Sequence, residues 1–460
     1  MYYLVTYRKK LMDLYPKIGN FLLIAISYGL YIKWEPVYAL VLLGVTVITY
    51  LAALKIEHDQ AYGKKKYIVF SGITLAGLPL IVFKYYNFLS QSFESFLGGA
   101  NISIGLPELN WAMPLGISFF TLQAIGYLAD VYLQRIKAEH NWWNYMLFVS
   151  FFPQIASGPI SKAVDLLPQI KAQRRFDYAQ TVQGLRWMLW GMFMKVVVAD
   201  RIGRSIDSFN ATLQDESGLM NLSVALLYSF QIYADFAGYS FMALGVGELL
   251  GFELINNFRR PYLSQSITEF WHRWHISLST WLKDYIYIPL GGSRRGKFRN
   301  YLNILITFLV SGLWHGANWT FVVWGGLHGI FQIAEKMLGM NKKFHSGLLK
   351  AFRIILTFML ATFAWIFFRQ PTFAEAWNQI YRIFTNYDMT LHFTSESLAY
   401  IGFGIAVVVI KDIIDEWQIK KFDAFHSPYK VVRWATYLFL LSAIIMMGVF
   451  DASQFIYINF

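Results

Sequence analysis

The sequence predicts an all-α, polytopic integral membrane protein with about ten to eleven transmembrane helices plus re-entrant or interfacial helices. Three observations lead there. Of 460 residues, 56% are hydrophobic and 15% charged, with 40 Phe, 29 Tyr and 16 Trp, whereas a soluble domain carries about a quarter charged residues. Apolar runs of bilayer-crossing length, about 17 to 25 residues, recur along the whole chain. Finally, the basic residues alternate between the polar connections in a regular way.

Taken in order, spans are expected near 18–34, 36–54, 67–86, 111–131, 184–204, 219–250, 301–333, 351–369, 397–412 and 431–450. The 219–250 and 301–333 runs are too long for one straight crossing, so each is expected to break, tilt or turn back. Gly312, Gly316 and Gly325–Gly326 supply breaks in the second. Met1–Lys17 lacks an apolar core of signal-peptide length, so no cleaved leader is expected. With no internal repeat or low-complexity tract, residues 1–460 read as one membrane-embedded domain, its core motifs within 233–329.

The net charge of +12 reflects topology rather than nucleic-acid binding. Segments 55–66, 162–186, 252–300, 336–353 and 411–433 hold 27 of the 40 Lys and Arg, whereas 87–110, 205–218 and 370–396 hold only Arg382. The positive-inside rule places the first group in the cytoplasm and the second outside. The same reasoning puts the amino terminus inside and Tyr457–Phe460 outside. The chain has no cysteine, which excludes disulfides, thiolate metal sites and an acyl-cysteine intermediate.

Two histidines carry the chemistry. His315 follows Ser311 and Gly312 and precedes Asn318 inside an apolar run. At helical spacing these residues make a small, polar stripe of the kind that faces protein or a water-filled cavity. An ionisable group at such depth is a functional candidate by default, and imidazole moves protons near neutral pH. His275 lies on an apolar stripe with Trp271, Trp274, Leu278 and Leu282, on a helix expected from Glu269 to about Ile286. Arg273, Ser277, Thr280 and Asp284 form its other face. Ser266 or Thr268 can cap that helix. The bland reading makes His275 a hydrogen-bonded core histidine; the second histidine weighs against it.

Other chemistries fit less well. Glu269-x-x-His272 lacks the second Glu-x-x-His of a di-iron set, and His272-x-x-His275 lacks a well-placed acid for zinc, so no metal is expected. Gly291–Lys297 matches P-loop spacing, but Phe298 replaces the magnesium-holding hydroxyl, and a basic cytoplasmic loop is the better reading. Lys195, Arg201 and Arg204 near Asp200 read as a structural ion-pair cluster at a membrane interface. Asp235 reads as a partner for another buried polar group or as a substrate contact.

The segments Tyr233-Ala-Asp-Phe-Ala-Gly-Tyr-Ser240, Asn257-Phe-Arg-Arg-Pro-Tyr262, Glu269–Gly292 and Ser311–Gly329 closely resemble the membrane-bound O-acyltransferase superfamily. Within it they resemble the bacterial branch containing the alginate O-acetyltransferase membrane component. Pro114–Gln123 and Phe152–Ile160 extend the resemblance, which covers roughly residues 20 to 450. It implies that His315 is the catalytic histidine and His275 the second functional one. Trp314, Asn318 and Asp235 are the candidate substrate-binding residues. Phe241 stands where many relatives are acidic, so no role is carried over there.

The resemblance further implies a multi-pass enzyme of the bacterial inner membrane with no bound cofactor. Acetyl-coenzyme A or another acyl thioester would be the cosubstrate. The acceptor would be a glycan hydroxyl, reached directly or through an extracytoplasmic acetyltransferase partner. A transporter or flippase of a polar or lipid-linked precursor is the rival reading, since intramembrane histidines and broken spans suit it as well.

Overall fold

Long apolar runs free of helix-breaking punctuation become long helices, and every regular element among the described residues is helical. The computed structural model describes residues 15–34, 36–59, 61–98, 105–209, 212–340, 344, 347–450 and 456. The basic start at 1–14 and the end at 457–460, to which sequence reasoning assigns sides of the membrane, lie outside them. The chain packs as two compact units, Met1–Val182 with Val246–Ile255, and Gln183–Gly245 with Asn256–Phe460.

The first unit holds α1 (Tyr15–Trp34), α2 (Pro36–His58), α3 (Tyr62–Leu80), α4 (Ile117–Tyr132), α5 (Trp142–Ser150) and α6 (Ala163–Lys171). A π-helical turn, Ile81–Tyr85, carries α3 on into Tyr86–Gly98. The expected crossing at 111–131 is shorter than its hydropathy implied. Its helix begins only after Gly116, which is left-handed at φ 70°, and runs 16 residues. Helices α2, α3 and α4 pack on one another around Leu42, Phe120, Leu128 and Phe148. Some of the polar groups inside this core pair with one another, as burial favours. Tyr145 donates to Thr49 Oγ1 at 2.7 Å, and Arg135 binds Asp130 at 3.0 Å.

α7 (Tyr178–Met192) and α8 (Gly218–Leu249) each begin or end across the division between units. The second unit continues with α9 (Ile267–Arg273), α10 (Ile276–Leu282), α11 (Lys297–His315), α12 (Trp319–Met337) and α13 (Leu348–Arg369). It closes with α14 (Phe373–Thr385), α15 (Ser395–Glu416) and α16 (Lys430–Met447). Among the described residues, five helical segments are long and apolar enough to cross a membrane: Pro36–His58, Gly63–Gly98, Leu348–Arg369, Ser395–Glu416 and Lys430–Met447.

Of the two overlong runs, one breaks and the other does not. The 301–333 run folds into the α11–α12 hairpin, its turn at Gly316–Asn318. Helix α8 runs unbroken for 32 residues, about 48 Å. Its glycines serve packing rather than bending: a Cβ on Gly238 would lie 2.7 Å from the Gly191 carbonyl oxygen.

The single helix expected from Glu269 to Ile286 is also broken, at Trp274–His275. Trp274 is extended and His275 is left-handed, at φ 44° and ψ 54°. The cause lies outside the helix. Asn257 accepts from Ile276 N through its carbonyl and from Ser277 N through Oδ1, both at 3.0 Å, while Arg259 N donates to Arg273 O. The amides freed by the break are thereby satisfied. The stripe Trp271, Trp274, His275, Leu278 and Leu282 is buried as expected, but so is Ser277, which helical spacing puts on the other face. Ser266, not Thr268, caps α9 by accepting from Glu269 N.

Candidate active site

Each candidate histidine sits at a turn in the second unit. His315 is the last residue of α11, and His275 is the hinge between α9 and α10. Their rings are 2% and 0% exposed, and the ring centroids are 6.4 Å apart. That separation is too large for a direct imidazole–imidazole hydrogen bond, which needs about 3 Å between nitrogens.

Aromatic rings fix both. Around His315 stand Trp314, Trp324 and Phe368, with centroids at 4.8, 4.9 and 5.4 Å. His275 meets Phe236 edge-on at 4.7 Å and Trp314 at 5.9 Å. Such a cage excludes water, and its ring faces stabilise positive charge. Ser311 Oγ, Thr320 Oγ1 and Trp324 Nε1 are buried beside it with no hydrogen-bond partner among the described residues.

The hairpin holds His315 through close backbone approach. A Cβ on Gly312 would lie 2.2 Å from the Phe321 carbonyl oxygen, and one on Gly325 equally close to that of Phe308. Asn318 caps α12 by accepting from Thr320 N, and its amide donates to Pro371 O at 2.7 Å. His275 is held by the Asn257 bonds. On α9, Arg273 bridges Glu269 and Glu416 at 2.8 Å each, and Arg260 joins Glu416. Glu335, near the end of α12, accepts from Ile267 N and Thr268 N at the start of α9.

The structure thus brings His275, His315 and Trp314 together. Asn318 lies at the same turn with its polar atoms committed to the backbone. Asp235 neighbours Phe236 in sequence, but its carboxylate binds Lys195 at 2.6 Å and accepts from Ile456 N. Lys195 also pairs with Asp200 at 2.6 Å.

Sequence reasoning did not single out His328. It is fully buried, accepts the Trp271 Nε1–H on Nδ1 at 3.2 Å, and lies 5.0 Å from Trp324, which also neighbours His315. The available signal was its place in Gly325-Gly-Leu-His-Gly329, four residues after Trp324 on one helix face.

A cavity of about 300 Å³ opens beside this layer, lined by Trp271, His272, Lys283, Thr307, Gln332 and Lys336 among others. Trp271, on its wall, meets Trp324 edge-on with ring centroids 5.7 Å apart. Burial holds the Lys336 ammonium below the usual lysine range. Among the described residues no three His, Asp or Glu cluster as metal ligands.

The helical spans make this a multi-pass membrane protein, and its second unit buries a pair of imidazoles. The membrane-bound O-acyltransferase family model matches residues 59–370, and the chain belongs to that family. The chain is 37% identical to the probable alginate O-acetylase of Pseudomonas aeruginosa, over 80% of this chain and 70% of that protein. It is 36% identical to the peptidoglycan O-acetyltransferase of Helicobacter pylori, over 79% and 72%. With the teichoic acid D-alanyltransferase of Streptococcus thermophilus it shares 30% identity, over 50% and 58%. The protein is an acyltransferase of the membrane.

Proposed function

We propose that the protein moves an acyl group, acetyl in this reading, from a cytoplasmic thioester to a hydroxyl of an envelope or exopolysaccharide glycan. Transfer is direct or passes through an extracytoplasmic partner, and the membrane is the bacterial inner membrane. The observation that carries the reading is the pair of buried imidazoles, their ring centroids 6.4 Å apart within one aromatic cage.

In this reading His315 takes the hydroxyl proton as the acceptor oxygen attacks the thioester carbonyl carbon. The new C–O bond forms, the C–S bond breaks, and the departing thiolate takes the proton from His315. The enzyme returns to its starting state as free thiol leaves. The aromatic cage and the carboxyl end of α11 stabilise the transient imidazolium. Such base catalysis contributes roughly 10²–10⁴-fold. His275 orients the acceptor from the opposite side. Acetyl-coenzyme A is the natural donor for the cavity, where Lys283, Lys336 and His272 suit phosphate groups. The acceptor class follows the relatives, an alginate O-acetylase, a peptidoglycan O-acetyltransferase and a teichoic acid D-alanyltransferase.

The test is reconstitution of the purified protein in vesicles, with labelled acetyl-coenzyme A on one side and glycan oligomers on the other. Labelled ester on the glycan, lost in His315→Ala, is the expected result. Movement of a glycan or lipid-linked precursor without ester formation would replace the reading with a transporter.

A further inference from the structure

Helix α14 carries its largest side chains outward. At about 100° per residue it divides into three sectors. Ala376, Gln379 and Ile380 are buried, and Gln379 bonds Gln370 and the Asn221 carbonyl. Beside this packed sector, Phe373, Trp377, Tyr381 and Phe384 are 52, 58, 57 and 67% exposed. The Phe373 and Trp377 rings stack on each other. The remaining sector is polar, with Glu375, Asn378 and Arg382. A helix on a water-facing surface does the opposite, burying its large apolar residues and exposing its small ones.

The neighbouring elements identify what meets the aromatic sector. α13 ends two residues before Pro371 and α15 begins at Ser395, and both are long and apolar enough to cross the membrane. α14 therefore lies where two spans leave the bilayer. Its outward side chains are uncharged and include Trp and Tyr, which favour the headgroup level. A packed flank, an aromatic flank and a polar flank are what a helix needs to lie in a membrane interface while leaning on protein.

We propose that α14 is an interfacial helix, with Phe373, Trp377, Tyr381 and Phe384 seated in the headgroup–acyl boundary of the leaflet where α13 emerges. The charge distribution makes that the outer leaflet. The seat reaches the active site through short links: Asn318 of the His315 turn donates to Pro371 O, and the Phe368 ring lies 5.4 Å from His315. The bilayer surface is thus a support for the catalytic turn.

The chain has no native cysteine, so single environment-sensitive labels can be placed cleanly. Trp377→Cys and Phe384→Cys should give blue-shifted emission in nanodiscs and quenching by nitroxide lipids. Asn378→Cys and Glu375→Cys should stay water-like. The unmodified chain gives a second measurement: a lipid-borne photoreactive carbene should label 373–384 on the aromatic residues. Water-like signals at 377 and 384 that change only when polysaccharide is added would replace lipid with a glycan platform. Equal lipid quenching at all four positions would also overturn the sector assignment. Neither readout depends on acyl transfer, so the result is independent of the proposed chemistry.

Discussion

His275 combines a chemical position with a backbone position, and the two can be separated. A left-handed non-glycine residue costs about 1–2 kcal/mol, and such strain is retained where surrounding structure over-determines it. His275→Gly should therefore be more stable than His275→Ala, by about 1 kcal/mol, yet show no more transfer. Equal activity in His275→Gly and the native enzyme would reduce the residue to a structural hinge. For His315→Ala, transfer should fall roughly 10²–10⁴-fold in a folded, inserted protein; near-native rates would remove the general-base assignment. At the cavity, burial lowers the Lys336 pKa, so its positive charge is present at low pH and is lost as pH rises, earlier than for an exposed lysine. The KM for a phosphate-bearing donor should then climb on the alkaline side, and Lys336→Ala should flatten that climb. An alkaline limb identical in both proteins would show that Lys336 does not meet the donor.

At the scale of elements, the α11–α12 hairpin makes the sharpest demand on sequence. Gly312→Ala puts a Cβ against the Phe321 backbone oxygen, which cannot yield as a side-chain tip can. The expected cost is about 1–3 kcal/mol, with loss of activity from a displaced His315. Gly326→Ala, whose Cβ would meet only the Leu309 side chain at 3.7 Å, should be tolerated. Thermal unfolding in detergent beside a transfer assay separates the two. The break at Gly316 was legible because a run of thirty-three residues, 301–333, could not cross once and glycines offered turns. The break at His275 was not, because its cause is Asn257, eighteen residues upstream. α8 stays whole over 32 residues, because excess length alone does not choose between a break and a tilt. His328 stayed hidden because its hydrogen bond to Trp271 joins residues 57 apart in sequence.

For the whole molecule, composition and charge alternation were enough to read a membrane bundle, since both follow from the bilayer as solvent. How the spans converge on the histidines was not legible, because it rests on contacts between distant segments. Those contacts now give each histidine a side. His275 is two residues from Arg273, which binds Glu416 at the basic-rich end of α15. His315 touches Phe368, and its turn bonds Pro371, at the basic-poor end of α13. The pair therefore stands between the two ends of the spans, one imidazole linked toward each. In the proposed function, a thioester made inside and a glycan held outside meet at this pair, the thioester entering from the side of His275 and the acceptor from the side of His315. Ser279, on the cavity wall with Lys283, and Ala317, half-buried just after His315, report the two approaches. In oriented vesicles, an impermeant thiol reagent should label Ser279→Cys from the cytoplasmic face and Ala317→Cys from the outer face. Acetyl-coenzyme A should protect the first and leave the second reactive. Labelling of both from the cytoplasmic face alone would mean a one-sided site, to which a lipid-linked acceptor must be brought inward before it is acylated.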